Sequence, residues 1–294
     1  MKSVVVIVVN YNSGHWLEAC VNSVLASDYP LQLYIVDNAS TDQSLDKCKS
    51  FLQKFDNLQV IENQNNLGFA KANNLILNTI QADYYVLLNP DCMVQKQTIG
   101  YLVGMMQQDN QVGLAGANIL NEDGSAQKTS KRNFPTPENS FFRVLGLSRW
   151  FSKKSKYADF DIGQSPGTQD KEFVEAISGA FMVVSADALN QVGGLDEGYF
   201  MHCEDLDWCK RVWSHGLKVA FYPGASVVHG KGKSSQSNPY RVNWYLHKGM
   251  LRFYKKFYHG KYGKIVSVFV YLGICIRFCL MNVKIFFARI ISHP

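Results

Sequence analysis

The sequence predicts an α/β protein with a mostly parallel, doubly wound central sheet, and three observations predict it. Apolar runs of strand length alternate with helix-length segments from Val4 to Leu88. Polar residues collect where the runs end, at Asn10-Tyr11-Asn12, Asp37-Asn38, Asn63 to Asn66 and Asn89 to Asp91. That is the sheet edge on which such folds bind nucleotides. The run Tyr84-Tyr85-Val86-Leu87-Leu88 is wholly apolar, hence buried, and opens directly into Asn89-Pro90-Asp91. Pro90 ends the ladder there, and Asp91 sets a carboxylate at the lip of the crevice, where it suits a divalent cation held against phosphate oxygens. An ordinary Asn-Pro turn after a strand is the alternative.

Element by element, Val4–Val9 reads as a buried strand, followed by a helix near His15–Leu25. Leu33–Val36 is a second strand. Ser40-Thr41-Asp42-Gln43 resembles a capping box that starts a helix through about Phe55. Leu58–Ile61, helix Gly68–Ile80 and strand Tyr84–Leu88 continue the alternation, and Gly113–Leu120 is a further strand. Residues 121–170 are irregular, with Pro135, Pro137 and Pro166, and a loop of that length reads as a functional lid. Order returns over Phe173–Val184, then a helix capped by Ser185, a turn at Gly193-Gly194-Leu195-Asp196, and a helix over Asp205–Ser214. Val219–Tyr222 and Ala225–Val228 are short apolar segments before His229.

A chain of 294 residues holds one large domain, or a catalytic domain with an appendage, and its 47% apolar content supports a real core. The net charge of +6 conceals an asymmetry: residues 1–207 carry 15 Lys/Arg and all 24 Asp/Glu, while the remainder carries 15 Lys/Arg and no acid. Such a basic tail faces an anionic surface. Seven cysteines form no C-x-x-C pair and no zinc spacing, which suits a reducing cytosol. The N-terminal apolar stretch is too short for a signal h-region, so a cytoplasmic start is expected.

A second constellation is His202-Cys203-Glu204-Asp205-Leu206-Asp207-Trp208. Its acids, at the start of a helix, either complement the helix dipole or supply a general base for an attacking hydroxyl. Crowding by Glu204 and Asp207 would raise one of the pKa values. His229 leads into Gly230-Lys231-Gly232-Lys233-Ser234-Ser235, a basic loop suited to a metal or pyrophosphate role. That loop lacks Walker spacing, no G-x-G-x-x-G follows the first strand, and no nucleophile elbow occurs.

Taken in order, these segments resemble glycosyltransferase family 2, the GT-A-type inverting enzymes, in their rhamnosyltransferase-like bacterial branch. The matching segments are Val8 to Asn12, Val36 to Asp42, Asn65 to Asn73, Leu88 to Asp91, Ser178 to Phe181, Gly193 to Asp196, Glu204 to Asp207 and Val228 to Gly230. The resemblance implies a GT-A nucleotide-binding fold over about 1–238, with a donor half to about 120 and an acceptor half beyond it. It implies a nucleotide-sugar donor of dTDP-rhamnose or UDP-hexose type, and a lipid-linked (polyprenyl) or oligosaccharide acceptor in surface-polysaccharide synthesis such as that of O-antigen. By the same resemblance Tyr11 stacks on the base, Asp37 binds base or ribose, and Asn10, Asn12, Asn38, Asn66, Gly68, Lys71 and Asn89 complete the nucleotide pocket. Asp91 takes the last position of the family's D-x-D element, with Asn89 at its first, and His229 is the second protein ligand to Mg²⁺ or Mn²⁺. Asp205 is the base, with Asp207 as runner-up, while Gly179, Ala180, Glu204, Asp207 and Trp208 form the acceptor and sugar side. The competing readings are a sugar nucleotidyltransferase, which should show an Arg/Lys-bearing Gly-rich loop at the first strand, and an idle sugar-nucleotide-binding subunit.

Residues 239–294 form a separate expectation. Basic and aromatic residues interleave over 240–264, and Ile265–Ile276 is an apolar stretch of 12 residues broken by Arg277. That is short of the ~20 needed to cross a bilayer. An amphipathic or re-entrant helix in the inner-leaflet interface is expected, held by anionic lipids on the cytoplasmic face of a bacterial inner membrane. The alternative is a helix pair packed on the catalytic domain. Nucleic acid is not an expected partner, because so apolar a stretch suits lipid better than phosphate.

Overall fold

The computed structural model describes residues 1–144, 171–230 and 238–292. Strand β1 (Val4–Asn10) is buried along its whole length, its run of valines packing on both faces of the sheet. Helix α1 (Trp16–Leu25) covers it with Leu17, Cys20, Val21 and Val24, the i, i+3, i+4, i+7 stripe of an amphipathic helix. β2 (Gln32–Asp37), α2 (Ser44–Lys49), β3 (Leu58–Glu62), α3 (Phe69–Leu77) and β4 (Tyr84–Leu88) complete the expected alternation. β5 (Cys92–Val94), α4 (Thr98–Gln107) and β6 (Val112–Leu120) follow, then β7 (Lys131–Arg132), α5 (Pro137–Val144), β8 (Glu172–Phe173), β9 (Ala176–Ile177) and β10 (Phe181–Ser185). α6 (Ala186–Val192), α7 (Glu204–Ser214), β11 (Lys218–His229), α8 (Pro239–Phe257) and α9 (Lys264–Ser292) end the chain.

The main sheet runs β3-β2-β1-β4-β10-β6-β11-β5, with β8 added on β11. β1 to β4 are mutually parallel, and β6 and β11 point the same way, so the sheet is mostly parallel; β10 and β5 run against it. This topology brings Asn10, Asp37, Leu88, Leu120 and His229, the ends of same-direction strands, to one edge. β10 runs the other way, so Gly179 and Ala180, just before its start, reach that edge too.

Four expectations need correction. Ser40 to Gln43 form no capping box: Asp37 Oδ2 accepts the Ser40 backbone N–H at 2.9 Å, and Ser40 Oγ donates to Asp37 Oδ1 at 2.7 Å. Those side chains are spent closing a loop, so α2 starts only at Ser44 and ends at Lys49. The segments 219–222 and 225–228 are one strand, β11, irregular between Tyr222 and Ser226 where Pro223-Gly224 interrupts the ladder. Within 121–170, β7 and α5 are ordered elements, and the remainder of that expected lid, 145–170, lies outside the described residues. Arg277 does not break the tail: α9 is one helix of 29 residues, and Lys264–Ile290 is long and apolar enough by length and composition to cross a membrane.

Gly68, at the start of α3, has φ +81°, and a Cβ there would lie 2.4 Å from the Phe200 carbonyl oxygen. The close approach that requires glycine therefore comes from this chain's own Phe200. Both the left-handed backbone and the clash oppose a side chain, so Gly68→Ala should cost about 2–4 kcal/mol. A urea titration checks this; an unchanged midpoint would show that Phe200 yields freely.

Candidate active site

The edge at the ends of β1 and β2 is built from side chains that hold one another. Asn10, fully buried, donates from Nδ2 to Asp37 Oδ1 at 2.6 Å, Ser44 Oγ at 2.9 Å and Ser40 Oγ at 3.0 Å. Asn12, in left-handed conformation at φ 51°, accepts the Thr41 N–H at 2.7 Å. Asn38 donates to the Gly68 carbonyl at 3.1 Å, and Asn66 Oδ1 accepts the Gly68 N–H at 2.9 Å. Asn10, Asn12, Asp37, Asn38 and Asn66 thus lock the β1, β2 and α3 loops together. Tyr11 is half-buried and Lys71 exposed beside this frame.

At the β4 end, the Asn89 N–H donates to the Ala180 carbonyl at 2.9 Å, joining the two halves of the edge. Asp91 is 1% exposed, and its Oδ1 faces His229 Nε2 at 3.2 Å. The Gly230 N–H donates to the Asp91 carbonyl at 2.9 Å and fixes the pair. Gln127 sets the histidine tautomer: its Nε2 donates to the His229 carbonyl at 3.0 Å, leaving Oε1 to accept from His229 Nδ1 at 3.3 Å. Nδ1 is therefore the protonated nitrogen, and Nε2 turns toward Asp91. Nε2 and the carboxylate oxygen thus lie side by side, each an atom type that ligates a divalent cation. The spacing also fits, since neighbouring ligands about 2.1 Å from an octahedral ion lie about 3 Å apart. Cys92 Sγ stands close enough to count as a third donor. Its thiol instead donates to the Ala180 carbonyl at 3.4 Å, and burial pushes its pKa well up, so it stays a buried thiol.

Across the edge, the acid cluster opens α7. His202 and Cys203 both take left-handed backbone, at φ 67° and 70°, which aims the following carboxylates. Asp205 Oδ2 accepts from Arg132 Nη2 and from the Gly179 N–H at 3.0 Å, and Oδ1 accepts the Leu206 N–H at 2.8 Å. Gly179 has no room for more, because a Cβ would lie 3.1 Å from that of Asp205. Burial pushes the Asp205 carboxyl up, but the charge and hydrogen bond of Arg132 and the two N–H donors outweigh it, and the net direction is down. The crowded acid whose pKa rises is Glu204, pushed up to about 8 by burial and then by the Asp205 charge.

Asp207 and Trp208, expected on the acceptor side, are both buried. Asp207 is fully buried, accepting from Tyr199 Oη at 3.2 Å and Arg211 Nε at 2.6 Å, with Lys256 Nζ at 2.7 Å. With its oxygens committed, it ties α7 to α8. Trp208 is also fully buried, donating from Nε1 to the Gly193 carbonyl at 2.9 Å, so it faces the core. The sequence reading missed Arg132 and Gln127, which lie in the irregular stretch where no periodicity marks them. Residues 231–235 of the basic loop lie outside the described residues.

A pH signature follows from Glu204. Its folded pKa lies above the unfolded value, so its contribution to stability is full below about pH 4.5 and lost as pH rises toward about 8. Glu204→Gln should melt like the parent at pH 5 and higher than it at pH 9. A melting gap that stays constant with pH would show that this carboxyl does not titrate there.

Residues 5–167 match the family model for glycosyl transferase family 2. The chain is 27% identical over 246 residues to an N-acetylglucosaminyl-diphospho-decaprenol L-rhamnosyltransferase of Mycobacterium tuberculosis, covering 80% of this chain and 78% of that protein. It is 24% identical over 235 residues to the rhamnosyltransferase WbbL of Escherichia coli K12, covering 77% and 83%. Among solved structures, GalNAc-T7 with UDP, GalNAc and Mn²⁺ superposes with a TM-score of 0.62 at 16% identity, over 87% of this chain. The chain spans only 48% of that protein, and the likeness is one of fold, the GT-A architecture. Since the family match takes in more than half of the residues, the chain belongs to glycosyl transferase family 2 and is a glycosyltransferase.

Proposed function

We propose that the chain transfers a sugar, with inversion, from a nucleotide-sugar of dTDP-rhamnose or UDP-hexose type to a hydroxyl of a polyprenyl-linked saccharide. The site is the facing pair of Asp91 and His229 on one side and Asp205 on the other. Asp91 and His229 would hold Mg²⁺ or Mn²⁺, and when bound the ion would neutralise charge on the departing diphosphate. Tyr11 and Lys71, beside the locked Asn10–Asp37–Asn38 frame, bind the nucleotide. Asp205 takes the acceptor's proton as its oxygen attacks the anomeric carbon and the bond to the diphosphate breaks. Of the roughly four lone-pair sites on a carboxylate, Arg132, Gly179 and Leu206 occupy three, and the second site of Oδ1 is left for the hydroxyl. Arg132 keeps Asp205 ionised, and no protein nucleophile is required.

The observation that carries this reading is His229 Nε2 set 3.2 Å from the buried Asp91 Oδ1 within a family 2 chain. The rhamnosyltransferase names of two relatives support the sugar, and the decaprenyl diphosphate in one of those names supports a lipid-linked acceptor. Such an acceptor supports a reaction at a membrane surface, which we read as the cytoplasmic face of a bacterial inner membrane. A thermal-shift screen with Mn²⁺ against UDP, dTDP and GDP and their common sugars tests it. Stabilisation by one nucleotide, lost without metal, is the expected result; a flat response to all of them would sink the donor assignment.

A further inference from the structure

Among the described residues, helix α9 is bound along its length mainly to α8. Tyr254 Oη meets Ser267 Oγ at 2.9 Å, Arg277 Nη1 donates to His247 Nε2 at 2.9 Å, and Asn243 Nδ2 donates to Asn282 Oδ1 at 2.8 Å. Arg289 lies over the Tyr240 ring at 5.2 Å. Partners thus descend along α8 as they ascend along α9, so the two helices are antiparallel throughout. α8 in turn is pinned to the catalytic domain: Lys256 Nζ is 2.7 Å from both Asp196 and Asp207, Arg252 is 2.7 Å from Asp196, and Phe253 and Tyr254 are buried. Gly249 packs against the backbone of His202, two residues before Glu204.

The opposite side of α9 is bare. Ile265, Val268, Phe269, Leu272, Ile276, Leu280, Val283, Phe286, Phe287 and Ile290 are all exposed, as are Lys264 and Lys284. That face is too broad for the narrow seam of a two-helix coil.

We propose that this face lies flat in the headgroup boundary of an anionic phospholipid bilayer, in the membrane plane and not across it, and seats the acceptor side of the site one helix away from the lipid. The proposal deepens the membrane location given above. Two observations choose this geometry. A spanning α9 would drag α8 into hydrocarbon with its exposed Arg241, Lys248 and Lys255, which the bilayer core does not tolerate. An in-plane α9 keeps them at the headgroups, where anionic lipid complements them. Charge also chooses lipid over a second copy of this chain: after Asp207 there are 15 Lys/Arg and no acid, so two tails would repel.

The test uses the full chain and vesicles of phosphatidylcholine, alone or with 30% phosphatidylglycerol (an arbitrary but ample anionic fraction of roughly a third). Co-flotation at least about tenfold greater with the anionic vesicles is expected, and its loss in Phe269→Glu/Leu272→Glu/Phe287→Glu with circular dichroism unchanged. Insertion depth is then read by nitroxide quenching at single cysteines placed at Ile265, Ile276 and Phe287, with Cys275 and Cys279 replaced by serine. Equal, shallow depth at all three supports the proposal even if the triple variant misfolds. A deep Ile276 between shallow ends would overturn the in-plane geometry while leaving the membrane location standing. No flotation, with a concentration-dependent dimer that the triple variant dissolves, would overturn both and assign the face to a second copy. The nucleotide screen is independent of either result.

Discussion

Asp205→Asn is expected to lower transfer by about 10²–10⁴-fold while nucleotide and Mn²⁺ binding stay near the parent values. The amide keeps the side chain's shape but cannot take a proton from the acceptor hydroxyl. It also presents N–H donors to a position that already receives donors from Arg132 and Gly179. The Arg132 guanidinium is largely buried, at 15% exposure, and loses its countercharge, so up to about 3–5 kcal/mol of stability is expected to go as well. Loss of activity through unfolding is separated from loss of the base by the double variant Arg132→Gln/Asp205→Asn. Removing both charges should restore much of the melting temperature and leave transfer absent. Near-parent transfer by either protein, with dTDP-rhamnose or a UDP-hexose and a polyprenyl-diphosphate acceptor, would remove Asp205 as the base.

The second large effect is expected at Asp91. Asp91→Ala should weaken Mn²⁺ binding by roughly 100-fold or more, because even outer partners of metal ligands contribute 10–100-fold. Asn89, two residues before Asp91, is neutral, so Asp91 is the one carboxylate of the Asn89-Pro90-Asp91 segment. Metal affinity is read directly by electron paramagnetic resonance of free Mn²⁺, and donor binding by the nucleotide-induced melting shift with and without metal. His229→Ala should move both readouts in the same direction. Nucleotide affinity that is identical in parent and Asp91→Ala, and indifferent to metal, would overturn the ligand role of the pair.

How much of this was legible in the sequence depends on whether local pattern or remote contact does the work. β1, β2, β4 and β6 could be read because a buried strand is apolar at successive positions, and α1 because its apolar stripe repeats locally. The capping box at Ser40 failed because the same short polar side chains satisfy a loop equally well, and Asp37 and Asn12, remote in sequence from one another, recruited the loop. The span of α9 was underestimated because Arg277 looked like a break in an apolar run. Its guanidinium instead finds His247 on α8, a partner that no window along the chain contains.

The sequence by itself determined the α/β class and the edge where polar residues gather, and it singled out the carboxylates and histidine proposed to carry the chemistry. The first two follow from composition at strand ends, which is local, and the third from the ordered segments that resemble the family. Only the tertiary structure decided which carboxylate is ionised, which histidine nitrogen faces Asp91, and that Asp207 and Trp208 belong to the core. A pKa, a tautomer and a burial each depend on groups brought close by folding: Arg132 and Gly179 for Asp205, Gln127 for His229, and Lys256, Arg211 and Tyr199 for Asp207. Electrostatic energies fall off over a few ångströms, and only the fold sets those distances.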